Sequence, residues 1–140
     1  MTRFTSKYWI VLFAPVFASC APGWGPMDSN QYVHATAEPA PDYAVGTWTG
    51  GLGPYVMTMK IAADGYVDTC HSWNHRDAVG KAKYSHGRLY FSDGSYAMVD
   101  KSAKGMTVTP LGDEDHASDF VRDESLRLAA PHCEDYFSKQ

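Results

Sequence analysis

The chain has 140 residues, room for one domain rather than two. A hydrophobic fraction of 44% with 20% charged residues excludes a disordered polymer. The formal net charge of -4 repels phosphate backbones, so no nucleic acid partner is expected.

The first element in chain order is a secretion signal over residues 1–19. Arg3 and Lys7 open it, and the stretch from Tyr8 to Ala18 carries no charge. That stretch is shorter than the roughly 20 apolar residues a bilayer span needs. Pro15 and the order of charge, hydrophobe and small residue argue against the alternative, a buried N-terminal helix. The segment Phe17-Ala18-Ser19-Cys20 resembles the lipobox of bacterial lipoproteins, with Phe17 where Leu is usual. The resemblance implies that Cys20 takes a diacylglycerol on its sulfur, that cleavage falls just before it, and that the new amine is acylated, with palmitate as the expected label. Each buried methylene contributes about 0.8 kcal/mol, so more than one chain anchors stably. The membrane is thus an expected partner through the lipid on Cys20. Removing residues 1–19 takes Arg3 and Lys7 with it and leaves a balance of -6, so surface charge would not supply the attachment. Ala21, rather than Asp, points by resemblance to Gram-negative sorting toward the outer membrane, if the source has one.

Residues 20–44 read as the lipidated cysteine and a flexible tether. Ala21-Pro22-Gly23-Trp24-Gly25-Pro26 and Ala37-Glu38-Pro39-Ala40-Pro41 break any helix or strand period. A flexible chain of this length reaches on the order of 25–30 Å. Trp24 and Tyr32 are expected to be incidental to it, the alternative being contact with the membrane interface or a partner.

Residues 45–140 read as the folded domain. Tyr55, Met57, Met59 and Ile61 alternate with Val56, Thr58 and Lys60, the period of a half-buried strand. A second run, Tyr66 to His71, follows Asp64-Gly65, a hairpin signal for a type I′ turn. Further runs are Lys81–Tyr84, Arg88–Phe91, Ser95–Val99, Met106–Thr109 and Ser118–Arg122, with Ser125–Ala129 as a last candidate strand. No stretch has a convincing helix period. The fold class is all-β: an antiparallel up-and-down meander of about eight strands forming a small barrel, with an open β-sandwich as the runner-up.

With Cys20 assigned to lipid, Cys70 and Cys133 remain. Outside the cytoplasm such a pair is expected as a disulfide, the alternative being two free buried thiols.

Little reads as chemistry. His71 and His75 lie four apart but on a strand end and loop without a third ligand at a diagnostic spacing, so no metal is expected. Asp113-Glu114-Asp115-His116 lacks the spacing of a calcium loop and reads as a charged hairpin tip. No phosphate loop or nucleophile elbow occurs, so no catalytic residue, cofactor or enzyme activity is expected. Tyr55, Tyr66, Tyr84, Tyr90 and Tyr96 read mostly as core filling and cross-strand pairing, with a binding surface as the functional alternative.

Gly46-Thr47-Trp48 resembles the Gly-x-Trp that opens the first strand of lipocalin-like barrels, over about residues 45 to 130. That resemblance implies a barrel that holds a small apolar ligand in its mouth. The lipid anchor, barrel and disulfide are also similar to the small envelope lipoproteins that inhibit lysozyme, with Ser92-Asp93-Gly94-Ser95-Tyr96 resembling their inhibitory loop segment. The expected function is a lipid-anchored, non-enzymatic binding module of the cell envelope for a protein or small ligand, the alternative being an inhibitor of lysozyme or another hydrolase.

Overall fold

The computed structural model describes residues 30–112 and 114–140. The signal, Cys20, Trp24 and Asp113 lie outside the described residues. Eight strands follow one another: β1 (Gly46–Leu52), β2 (Tyr55–Ile61), β3 (Tyr66–Trp73), β4 (Arg76–Ser85), β5 (Arg88–Phe91), β6 (Tyr96–Ser102), β7 (Gly105–Pro110) and β8 (Ser118–Arg122). Each pairs antiparallel with the next, and β8 returns to β1 through Trp48 opposite Arg122 and Gly50 opposite Phe120. The sheet is a closed meander barrel, as the pattern of short runs predicts.

The hairpins form where expected but by different turns. At Asp64-Gly65 and Asp93-Gly94 only the glycine has positive φ, so neither is a type I′ turn. Gly65 N–H donates to Ala62 C=O and Gly94 N–H to Phe91 C=O, each a turn relaxed by a left-handed glycine. The two-residue turns with positive φ at both positions are Asn74-His75, which joins β3 to β4, and His86-Gly87, which joins β4 to β5. Sequence reading found β1 only through its resemblance, because Gly50 and Gly51 dilute the alternation. Gly50 is required: a Cβ there would stand 2.7 Å from the Phe120 ring and 2.8 Å from the Asp119 carbonyl. Gly50→Ala is expected to cost about 1–3 kcal/mol by overpacking. Gly51→Ala, whose Cβ would meet nothing nearer than 4.0 Å, is the control in the same denaturant titration and should shift it little.

Inward positions alternate along every strand. Trp48, Met59, Ile61, Val67, Leu89, Val99, Met106, Val108 and Phe120 fill the barrel and are all but fully buried. Three expectations fail outside the strands. First, residues 30–44 do not form a free tether. A short helix, α1 (Gln31–His34), is capped by Asn30 and held by Lys83, whose ammonium donates to the Tyr32 and Ala35 carbonyls at 2.9 Å. The segment after it enters the barrel's end, where Ala40 and Ala44 join the core. Second, Ser125–Ala129 is not a strand. Asp123 is 4% exposed, and its carboxylate accepts from Arg127 N–H at 2.9 Å and Leu128 N–H at 3.0 Å, so those amides serve a turn. Third, a helix does form, α2 (Pro131–Phe137), begun by Pro at its first turn.

Candidate functional site

The two ends of the barrel differ. At one end the chain stoppers itself. Glu38 N–H donates to Tyr84 C=O at 2.9 Å and Ala40 N–H to Ala63 C=O at 3.1 Å, which draws residues 38–44 across the opening. Trp48, from the Gly-x-Trp tripeptide, donates its indole N–H to Ala44 C=O at 2.8 Å, and the Arg122 guanidinium lies over its ring at 4.6 Å. Beside it, partial burial pushes the Glu124 carboxyl up, but hydrogen bonds from the Thr47 N–H and from Arg122 outweigh it and hold its pKa below the usual range.

The other end stays open. A cleft of about 330 Å³ lies there. Met57 and Phe91 floor it, Leu52 and Tyr55 wall one side, and Ala78 and Gly80 the other. The wall is low at β4 because the inward positions hold Ala78 and Gly80, which have almost no side chain to fill the space. It is also broken, because β5 pairs only with residues 82–85 of β4 and then turns away through Ser92–Ser95. Above that turn β4 keeps only β3 as a strand neighbour among the described residues, while β3 still pairs with β2 as far as Ser72 opposite Val56.

Apolar groups left in water gather at this rim. Tyr55 and Trp73 meet edge-on at 6.1 Å, and Tyr55 meets His71 edge-on at 5.0 Å. Val56, Val79 and Tyr96 are exposed beside them. The polar rim is formed by Lys81, Ser92, Asp93 and Ser95. Lys81 pairs with Asp68, whose hydrogen bond raises the Lys81 pKa. An uncovered apolar floor within a polar rim is the usual make-up of a binding surface.

The cysteine pair supports this end from outside. Cys70 and Cys133 are bonded, S–S 2.06 Å, on the outer face of β3. Phe137 is buried with them, and Leu126, Ala129, Ala130 and Tyr136 pack around. The bridge clamps α2 to the strand whose inward His71 lines the cleft.

His71 and His75 are not brought together on a metal: one lines the cleft and the other sits in the β3–β4 turn. Among the described residues no cluster of His, Cys, Asp or Glu is placed to hold a metal ion. The acidic segment becomes a 3-10 turn at Glu114–His116. Of the tyrosines, Tyr84 fills core, Tyr90 stacks on Tyr96 across β5 and β6, and Tyr55 and Tyr66 are exposed at opposite ends of the barrel. The Ser92–Tyr96 segment that resembles an inhibitory loop is the β5–β6 turn at the rim. The resemblance implied a ligand in the barrel's mouth but mapped no contact residues to it. The signal for the cleft was small residues at alternate positions, Ala78, Gly80 and Ala82, in the longest strand.

A family model described as "Bacterial lipocalin LPS transport optimiser YedD" matches residues 29–137. Among solved structures, a lipoprotein YedD from Klebsiella pneumoniae subsp. pneumoniae MGH 78578 is similar at 18% identity with a TM-score of 0.54. The alignment covers 77% of this chain and 92% of that one, a likeness of fold. No curated protein gives a significant match.

Proposed function

Since the chain belongs to the YedD family of bacterial lipocalins, we propose that it is a lipid-anchored binding protein of the cell envelope that supports lipopolysaccharide transport through the open mouth of its barrel. The observation that carries this is the asymmetry of the two ends. Residues 38–44 stopper one, whereas the other leaves Leu52, Tyr55 and Met57 around an open cleft. The residue order around Cys20 supplies the anchor: a signal over residues 1–19, an acylated Cys20, and Ala21 directing the protein to the outer membrane. The tether from Cys20 to Asn30 then holds the mouth near the membrane. The protein binds rather than catalyses, in keeping with a barrel of the binding type.

The test is complementation in the source bacterium. Deleting the gene should raise sensitivity to large apolar antibiotics that intact lipopolysaccharide excludes. A copy carrying Tyr55→Ser with Trp73→Ser should fail to restore resistance. A copy carrying Tyr66→Ser, a still more exposed tyrosine at the stoppered end, should restore it. Cys20→Ala should abolish both palmitate labelling and complementation. Full rescue by the rim variant at normal protein level would overturn the reading.

A further inference from the structure

Strand β4 outruns its neighbour, and the unpaired part has a definite chemistry. β3 follows β4 to the tip, Trp73 opposite Arg76, but residues 76–80 have no strand on their other side among the described residues. Trp73 and Arg76 close a two-residue turn, so they exchange hydrogen bonds, and so do His71 with Ala78 and Thr69 with Gly80. The residues between point their backbone groups the other way. Lys81 shows this: its N–H donates to Ser92 Oγ at 3.3 Å, and its C=O accepts from Ser92 N–H at 2.8 Å. Asp77 and Val79 have the same orientation with no backbone partner there among the described residues. Two N–H and two C=O groups therefore line an open edge beside the cleft. Val79 is 51% exposed on that edge, and no proline or bulge defends it.

We propose that an extended segment of a partner protein adds to β4 at residues 76–80 as an antiparallel strand. An extended peptide backbone returns, at the matching spacing, both the donors and the acceptors that Asp77 and Val79 offer. An acyl chain in the same place would bury four backbone polar groups without partners, which is costly. The protein's own tether is a poor strand, because Pro22 and Pro26 lack N–H groups and Gly23 and Gly25 weaken pairing. The side chains specify the partner further. The residue opposite Ala78 points into the cleft toward Met57 and Phe91, so it is apolar. The residue two places later lies opposite Arg76. Lys81 is paired with Asp68, and Asp77 accepts from Ser72 at 2.5 Å and faces His132 at 4.0 Å. Arg76 has no ion pair among the described residues, so charge complementarity makes that partner residue acidic.

This deepens the reading of the mouth as the working face by naming what docks there. The test uses the full mature chain, isotope-labelled, and the synthetic peptide Thr-Val-Thr-Leu-Thr-Asp-Thr. Binding should slow hydrogen exchange at the Asp77 and Val79 amides. N-methylation of the two threonines that flank the leucine should weaken binding about tenfold or more, as should Val79→Pro, which removes an N–H the native fold leaves unused. The N-methyl peptide needs no protein variant, so it stands even where the proline variant misfolds. Equal binding of the N-methyl peptide, or no protection at the two amides, would overturn the proposal. Protection already present in the free chain and lost in Trp24→Ala would overturn it in favour of the tether, whose end Asn30 is held to the Ser92 carbonyl at 3.1 Å. The peptide assay reads the edge alone. Its failure beside a non-complementing Tyr55→Ser, Trp73→Ser copy would leave the mouth working without strand addition.

Discussion

Replacing both Cys70 and Cys133 by serine should cost about 4 kcal/mol of folding stability by the chain-entropy measure. The bridge spans a sequence separation of 63, so the unfolded chain regains a large closed loop's worth of freedom. Both cysteines are fully buried with Phe137, so the serine hydroxyls would also enter an apolar cluster. Urea titration of the oxidised protein against the double variant reads the difference. The loss should fall first on one region. α2 touches the barrel through β3, and the β3–β4 tip lacks a β5 neighbour, so amide exchange there should accelerate before the rest of the barrel. A double variant within about 1 kcal/mol of the parent, well under the loop-closure value, would mean that α2 packs without the bridge.

Asp123→Ala should be nearly as severe, at roughly 3 kcal/mol, because several donors then lose a charged acceptor in a buried place. The carboxylate accepts from Thr49 Oγ1 at 3.0 Å as well as from Arg127 and Leu128. Thr49 in turn meets Thr58 Oγ1 at 2.9 Å, so a polar chain runs from the β1–β2 pair to the turn after β8. Asp123→Asn, which replaces one acceptor oxygen by a donor, should recover only part of the loss. Thermal unfolding of the three proteins at one pH gives the ranking. Equal stability of Asp123→Ala and the parent would show that water replaces the carboxylate freely.

The fold was largely legible because its strands obey one rule. Where inward and outward residues differ in polarity, as in Tyr55–Ile61, the period of two is plain. Where glycine stands inward, as at Gly50, the same period is silent and only Gly46-Thr47-Trp48 marked the strand. Asp-Gly announced hairpins correctly, although the turn geometry belongs to the glycine alone. Asn74-His75 made the true two-residue turn without a glycine, which hid the length of β4. The ends of the domain were less legible for a physical reason. Pro39 and Pro41 suit a linker, but they equally suit a fixed segment whose Ala40 and Ala44 are small enough to enter the barrel. Ser125–Ala129 has apolar residues at strand-like spacing, yet one buried carboxylate takes its amides. The cleft depends on side chains that are absent, at Ala78 and Gly80, and on β5 ending early. Neither is a motif. The expectation of a lipid anchor rests on four residues outside the described ones, Phe17 to Cys20, because a processing signal is read as a linear segment.

The most direct test of the mouth as the working face is photocrosslinking in living cells. A benzophenone side chain replaces either Tyr55 at the open mouth or Tyr66 at the stoppered end, both exposed aromatic positions. The expected result is a discrete adduct with a component of lipopolysaccharide transport from position 55 and none from position 66. Adducts from position 66 alone, with folded and membrane-attached protein in both strains, would contradict it and move the working face to the other end of the barrel.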